Sequence, residues 1–265
     1  MPDALVPNKP PIMMVMAVKG GTGKSLNTIN LALMLSKHYK VGLLDADVDS
    51  PNLPSMLRLE TPMVLMQDHT FIPIDYKGIQ VVSAGLFQKG IFTVCKTGRE
   101  IRQIVSDMLH RSHWGPLDLI LVDEPAGSDE ELKAIMESGH PLLGVIVVSQ
   151  PTTYDDCWRS IELCTRFKMH IIGIIENMSG AVWQDGSPVV HPETKQPYLP
   201  LGQPNDGKEI EKLAISTGIT FLGRIPLVEN MYARIHAGNP CFPESVTEPL
   251  TKIVCQVQSL IPKEA

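Results

Sequence analysis

Short, continuous apolar runs recur along the chain and are separated by segments long enough to form a helix. The runs cover residues 13–18, 41–44, 79–82, 119–122, 145–148, 171–175 and 220–222. Continuous rather than alternating hydrophobicity is typical of strands covered on both faces, and helical spacers allow parallel crossovers. The pattern therefore predicts an α/β fold with a doubly wound, mostly parallel sheet flanked by helices.

The size and composition of the chain fit one such unit. Its 265 residues are 43% hydrophobic and 20% charged, which is enough apolar side chain for one large core. We expect a single domain over residues 1–265. The net charge of −6 and the pI near 5.7 give no electrostatic reason for nucleic-acid binding, which favours surfaces rich in lysine and arginine.

The five cysteines are scattered without any C-x-x-C pair, so neither a disulfide framework nor an ordinary zinc site is predicted. Cys157 and Cys164 lie seven residues apart, a spacing that places both on one helix face, where apolar packing is the expected role. No run approaches 18 consecutive apolar residues. We therefore expect a cytoplasmic protein with reduced thiols.

A glycine-rich segment, KGGTGKS over residues 19–25, directly follows the first apolar run. In a phosphate-binding loop, glycines let backbone N–H groups point at the phosphates, a lysine meets the β and γ oxygens, and a Ser or Thr hydroxyl holds Mg²⁺. Gly23, Lys24 and Ser25 fit those roles, although Val18 replaces the usual first glycine and Lys19 is an additional lysine. The residues expected to contact a nucleotide are Gly20, Gly21, Thr22, Gly23, Lys24, Ser25 and Leu26.

A helix is predicted directly after this segment, because Leu26, Ile29, Leu33 and Met34 fall at helical spacing. The N-terminal N–H groups and the dipole of such a helix face the phosphates. The order of strand, loop and helix favours a nucleotide site over a structural turn.

Acidic residues follow two of the predicted strands. Asp45, Asp47 and Asp49 alternate after the second run, and Asp123 follows the fourth. In parallel sheets, ligands lie beyond the carboxyl ends of the strands. We therefore expect Asp123 to support Mg²⁺ together with Ser25, the alternative being an acid that merely ends a strand.

Asp45 is the best placed of these acids to reach the magnesium ion or the attacking water. Hydrolysis needs an acceptor that orients the water, and Asp45 and Asp47 are our candidates for this role. Asp49 fits a catalytic role and the start of a turn equally well.

The glycine segment matches the KGGxGK[ST] signature of the deviant phosphate-loop ATPases, which include MinD, ParA, the nitrogenase iron protein and the Mrp/ApbC type. The chain resembles the Mrp/ApbC branch over nearly its whole length. The likeness also rests on LLDAD over residues 43–47, SPNLP over 50–54, ENMSG over 176–180 and FLGRIPL over 221–227.

The resemblance implies how the site and its assembly are built. Asn177 and the region of Pro226 would contact adenine, the alternative for Asn177 being a turn residue after a strand. ATP and Mg²⁺ would be enclosed in a homodimer, in which Lys19 and Lys24 act as catalytic cations and Lys19 reaches the phosphates of the other subunit. Such a cation in trans is worth on the order of 10³–10⁵ in rate in related enzymes. The alternative for Lys19 is a solvated loop lysine.

The sequence departs from this branch after the ENMSG segment. Cluster-carrying members place a C-x-x-C pair shortly after it, whereas this chain has no cysteine between residue 180 and Cys241. We therefore expect no bound iron–sulfur cluster, because its thiolate ligands are missing there. Residues 181–205 are interpreted as a partner or interface loop, in which Trp183 and Tyr198 either form a docking surface or cap the core. His191 is expected to be an ordinary surface residue, the alternative being a metal ligand.

Two functions follow from this resemblance. The first is a slow homodimeric ATPase switch, stimulated by dimerisation or by a protein client, that assists the assembly or maturation of iron–sulfur proteins. The alternative is a MinD/ParA-like positioning ATPase that acts on a membrane, DNA or a protein scaffold. The tail over residues 248–265 has apolar residues at helical spacing but only Lys252 and Lys263 as basic residues, which predicts a helix packed on the sheet. We accordingly expect no membrane or nucleic-acid partner.

Overall fold

A computed structural model describes residues 9–87, 97–125, 129–201 and 207–261. Its strands are β1 (Ile12–Met16), β2 (Val41–Asp45), β3 (Val64–Leu65), β4 (Phe71–Ile72), β5 (Ile74–Tyr76), β6 (Ile79–Ser83), β7 (Leu119–Asp123), β8 (Leu142–Ser149), β9 (Ile171–Val182) and β10 (Phe221–Val228). Its α-helices are α1 (Lys24–Leu35), α2 (Leu53–Leu57), α3 (Gly98–His110), α4 (Asp129–Glu137), α5 (Tyr154–Arg166), α6 (Glu209–Thr217), α7 (Met231–His236) and α8 (Thr247–Gln258).

Within these residues, a central sheet of eight strands has the order β10-β9-β8-β1-β7-β2-β6-β5. The seven predicted strands are all present and pair in parallel with their neighbours, and β5 is antiparallel to β6. This confirms the predicted fold class. The strand predicted over 171–175 continues to Val182, because its second half pairs with β10. The loop predicted from residue 181 therefore begins after Val182, and its residues 202–205 lie outside the described ones.

Three short strands were not predicted from the hydrophobic pattern. β3 and β4 contain two residues each and form a separate antiparallel pair, and β5 contains three residues. Several of their side chains are exposed, so they lack the continuous apolar run that marks a buried strand. Their pairing depends on contacts distant in sequence, such as the Phe71 N–H that donates to the Arg111 carbonyl at 2.7 Å.

The strand order reverses at β1, which lies between β7 and β8 and is buried along its whole length. From β1 the chain moves through β2 to β6, returns through β7, and then continues on the other side through β8, β9 and β10. The carboxyl ends of these parallel strands lie at one edge of the sheet. In sheets of this kind, ligands bind at that edge where the strand order reverses.

Helices pack on the sheet and on one another. α1 contacts β1, β2 and β7, α3 packs on α4, and α5 packs on β8 and α6. Cys157 and Cys164 are buried on α5, and this burial raises their thiol pKa values to about 11 and about 12, so the predicted packing role is confirmed.

The C-terminal helix α8 packs on α1 and β10. Leu250, Val254 and Val257 are buried in this contact region, as the predicted packing on the sheet requires. Among the helices of the described residues, none combines the length and the apolar character needed to cross a membrane.

Candidate functional site

The glycine segment connects the end of β1 to the start of α1, directly at the point where the strand order reverses. Gly21 has φ 80° and Gly23 has φ 84°, both in the left-handed region that strains other residues. A Cβ atom at Gly23 would overlap the side-chain amide of Asn177. Glycine at position 23 therefore allows both the turn and the close approach of β9.

The loop presents its backbone N–H groups without internal acceptors. Among the described residues, no hydrogen-bond acceptor is present for the N–H groups of residues 20–26, and the first helical bond is from the Asn27 N–H to the Gly23 carbonyl. A Cβ atom at Gly20 or Gly21 would meet no atom within 4 Å, so the space in front of the loop is open. Free N–H groups at the start of a helix form a ready site for a phosphate anion.

Lys24 forms a buried ion pair with Asp123. Its Nζ lies 2.7 Å from Asp123 Oδ1, and the Thr28 hydroxyl donates to the same oxygen at 3.0 Å. The Asp123 side chain is 2% exposed and that of Lys24 is 11% exposed. The loop lysine and the acid at the end of β7 are thus brought together, as a phosphate and magnesium site requires.

Asp45 is buried beside Asp123, and the two residues face each other in the β2–β7 register. Asp45 Oδ2 accepts hydrogen bonds from the Ser83 hydroxyl at 3.0 Å and from the Leu53 N–H at 3.2 Å. Burial, together with the charge of Asp123, raises the pKa of Asp45 to about 7. The carboxylates share one lysine, so the site favours an additional cation.

Asp47 lies outside this buried group. Its backbone N–H donates to Asp45 Oδ1 at 3.3 Å, and its own Oδ1 accepts from the Ser50 N–H at 2.8 Å. Asp47 therefore holds the turn after β2, a contact typical of aspartate in turns. Its predicted role in orienting water stays a prediction.

Lys19 is exposed at the front of the loop. Within the part of the chain that the structure describes, its ammonium group has neither an ion pair nor a hydrogen bond. This environment is compatible with contact to a second subunit and with a solvated lysine.

The predicted adenine contacts lie on the two strands at one side of the loop. Asn177 is buried in β9 and donates from Nδ2 to the Thr22 carbonyl at 2.8 Å. Pro226 is half-buried in β10, where the register with β9 is irregular. Contact of either residue with adenine stays a prediction.

Several residues of the site were missed in the sequence. Thr28 and Ser83 bind the two carboxylates, and Gln150, directly after β8, donates from Nε2 to the Gly21 carbonyl at 3.0 Å. Glu124, next to Asp123, is buried, and burial raises its pKa to about 8. Gln150 and Glu124 follow strands, so the rule that ligands lie beyond strand ends was the available signal.

The oxygen donors at the site are compatible with Mg²⁺ bound together with a nucleotide. In the described residues, no group of three or more His, Cys, Asp or Glu side chains is arranged to hold a metal ion. Mg²⁺ commonly takes one or two carboxylates and completes its octahedron with water and phosphate oxygens. Asp45, Asp123 and the Ser25 hydroxyl fit that donor set.

The loop after β9 carries a second, apolar feature. Trp183 is 45% exposed and Tyr198 is 48% exposed, so neither caps the core. Both line a groove of about 530 Å³, whose other residues include Leu227 and Tyr232. Of the two interpretations of these aromatic side chains, their exposure favours the docking surface.

The strand order, the N–H-lined glycine loop and the lysine–aspartate pair define a P-loop NTPase. A family model of ParA type, described as NUBPL iron-transfer P-loop NTPase, matches residues 9–261, and the chain belongs to this family.

Named relatives and solved structures agree with this assignment. The chain is 37% identical over 224 residues to an iron-sulfur cluster carrier protein of Methanocaldococcus jannaschii, covering 81% of this chain and 72% of the relative. It is 31% identical over 262 residues to the cytosolic Fe-S cluster assembly factor NUBP2 of Bos taurus, covering 92% and 90%.

The structure of a nucleotide-binding protein of Archaeoglobus fulgidus in complex with ADP is similar with a TM-score of 0.67 at 26% identity, covering 86% of each chain. The septum site-determining protein MinD of Pyrococcus horikoshii, complexed with Mg-ADP, shares the fold with a TM-score of 0.64 at 19% identity, covering 94% and 96%. The fold is therefore that of a MinD-like P-loop NTPase.

Proposed function

We propose that this chain is a deviant phosphate-loop ATPase that acts as a homodimeric switch in the assembly or maturation of iron–sulfur proteins. The row of free N–H groups over residues 20–26, beside the Lys24–Asp123 pair, is the observation that carries the nucleotide part. The names of the two relatives support the iron–sulfur part.

Each residue of the site has a role in this proposal. The loop N–H groups bind phosphate oxygens, and Lys24 neutralises charge on the β and γ phosphates. Ser25, Asp45 and Asp123 would hold Mg²⁺, which when bound would supply positive charge next to the phosphoryl group. Asp45, with Asp47 as the second candidate, orients the attacking water. Asn177 and Pro226 contact adenine.

Lys19 gives the switch its dependence on assembly. Lys19 is exposed and its ammonium has neither an ion pair nor a hydrogen bond with another described residue, so it is available for contact with a second subunit that faces the loop. A cation supplied by the partner makes hydrolysis slow in the monomer and stimulated in the dimer or by a client.

The protein client binds the loop that follows β9, where Trp183 and Tyr198 are exposed. No cluster is carried by a C-x-x-C pair, because the chain has none. Anaerobic reconstitution with iron and sulfide, followed by absorption spectra and metal analysis, tests this statement. Stoichiometric cluster binding would overturn it.

Nucleotide titration by calorimetry tests the central statement. We expect the parent protein to bind ATP with Mg²⁺ and Lys24→Ala to bind at least about tenfold more weakly, since charge-assisted contacts to phosphate are lost. Asp45→Asn is expected to bind ATP and accumulate as a dimer, measured by light scattering. A parent protein that binds no nucleotide contradicts the proposal.

A pull-down with the ATP-bound Asp45→Asn protein identifies the client. Recovery of iron–sulfur proteins or their assembly factors is the expected result. ATP-dependent co-sedimentation with vesicles or DNA, without such proteins, would instead support the positioning ATPase.

A further inference from the structure

Two side-chain amides hold consecutive carbonyl groups of the phosphate loop. Gln150, which follows β8, donates from Nε2 to the Gly21 carbonyl at 3.0 Å. Asn177, in β9, donates from Nδ2 to the Thr22 carbonyl at 2.8 Å. Two neighbouring strands thus fix the direction of two neighbouring peptide groups.

Gln150 is itself fixed by its surroundings. Its backbone N–H donates to the Thr153 hydroxyl at 2.9 Å, and this hydroxyl also lies 3.0 Å from the Ser149 hydroxyl. The same Nε2 that meets Gly21 lies 3.1 Å from the sulfur of Met178. Gln150 is only 9% exposed, so little water is available to replace these contacts.

The direction of the carbonyl groups decides what the loop can bind. A carbonyl oxygen carries partial negative charge and would repel a phosphate, whereas an N–H group attracts it. Gly21 has φ 80°, in a region where glycine moves between many conformations at little cost. A donor on the Gly21 carbonyl therefore selects one conformation among several, in which the following N–H groups stay free.

We propose that Gln150 is a positioning residue that preorganises the loop for phosphate by holding the Gly21 carbonyl on the protein side. This inference rests on the proposed nucleotide function. Gln150 acts through the loop backbone, so its loss weakens the binding of ground and transition states together. The expected signature is a raised KM and Kd with a nearly unchanged kcat.

Gln150→Met tests the inference, because methionine has a similar length and no N–H donor. Loss of one net hydrogen bond predicts a rise of about fivefold in the Kd for ATP and in KM. Gln150→Glu, which places an acceptor against the carbonyl, is expected to raise both further. Gln256→Met, on an exposed position of α8, is the matched control and should behave as the parent protein.

Backbone ¹⁵N relaxation of the nucleotide-free protein gives a readout that does not depend on activity. In Gln150→Met, the order parameters of residues 20–23 should fall, because the Gly21 carbonyl is no longer held, while those of β1 and α8 keep the parent values. Lower order parameters throughout the molecule, with Kd unchanged for the folded fraction, would show a general structural role and overturn the inference.

The outcomes separate this inference from the function on which it rests. If the parent binds ATP and Gln150→Met has the parent Kd and the parent order parameters in the loop, the positioning role is wrong and the nucleotide function stands. If the parent binds no nucleotide, both are wrong.

Discussion

At the scale of single residues, the site is built from acids that the fold buries. Asp45 and Asp123 lie side by side at the ends of β2 and β7, and Lys24 is paired with Asp123. Glu124 follows Asp123 in the chain, and its Oε2 atom is buried without a hydrogen-bond partner in the described part of the chain. Burial disfavours the charged forms of Asp45 and Glu124, so the free energy of folding depends on pH here.

Glu124 provides a test of this dependence. Burial raises its pKa from the usual 4.5 to about 8, so between these values the folded protein keeps a proton that the unfolded chain releases. Stability due to this proton is present below pH 4.5 and is lost as the pH rises to 8. Glu124→Gln is neutral in both states. In the parent, this proton makes the free energy of unfolding fall by up to about 1.4 kcal/mol per pH unit in that range, and we expect Glu124→Gln to remove this contribution.

Urea unfolding at several values between pH 5 and pH 8 measures the effect. The Glu124→Gln protein keeps part of the slope of the parent, because burial also raises the pKa of Asp45 to about 7. Glu193→Gln, on an exposed position, is the control and should leave the slope of the parent unchanged. Equal slopes in Glu124→Gln and the parent would contradict this prediction.

At the scale of elements, the edge of the sheet is held by an ion-pair network as well as by strand pairing. Arg224 of β10 donates from Nε to Glu176 of β9 at 3.0 Å and from a terminal nitrogen to Glu211 of α6 at 2.9 Å. Glu176 is buried and directly precedes Asn177, which contacts the loop. The network therefore connects β9, β10 and α6 next to the predicted adenine contacts.

Removing the arginine should destabilise this edge. Arg224→Met leaves the buried Glu176 carboxylate without its cation, and we expect a loss of about 2 kcal/mol, less than for a fully buried pair because Arg224 is about one-third exposed. Adding Glu176→Gln should recover part of the loss, as measured by urea unfolding.

Arg159→Met is the matched control for this experiment. Arg159 pairs with Asp156 on the surface of α5 with 63% of its side chain exposed, so its loss should cost less than about 1 kcal/mol. Similar losses for both arginines would show that burial of Glu176 is not the cause.

At the scale of the whole molecule, Lys19 has no ion-pair or hydrogen-bond partner among the described residues of its own chain. If Lys19 acts on the other subunit, two inactive variants should complement each other. Lys19→Ala keeps its own acids but gives no cation to its partner, and Asp45→Asn gives the cation but hydrolyses nothing. A mixed dimer thus contains one complete site.

We expect each variant alone to lose about 10³-fold or more in ATPase rate. An equal mixture should regain roughly a quarter of the parent rate. Half of the randomly formed dimers are mixed, and each mixed dimer has one active site where the parent dimer has two. Phosphate release measured at several mixing ratios checks this. A mixture that stays as slow as the single variants would place Lys19 in its own site, and Lys19→Ala protein that alone reaches the parent rate would show that Lys19 is only solvated.

The sequence by itself determined the parallel strands and the phosphate loop. Buried parallel strands need continuous apolar runs, so each long strand is visible locally, and the loop needs glycines and a lysine at fixed spacing. The acids after β2 and β7 were found because strand ends carry ligands. The same rule did not distinguish Asp45, which is buried against Asp123, from Asp47, which holds a turn.

Only the tertiary structure decided which polar groups meet. The contacts of Gln150 with Gly21 and of Asn177 with Thr22 join residues more than 120 positions apart, and the pairing of Lys24 with Asp123 joins residues 99 apart. Strand order brings them together, and no local pattern records it. The short strands β3, β4 and β5 depend on tertiary contacts in the same way, because each has only two or three residues, several of them exposed, and buries too little apolar surface to be recognised alone.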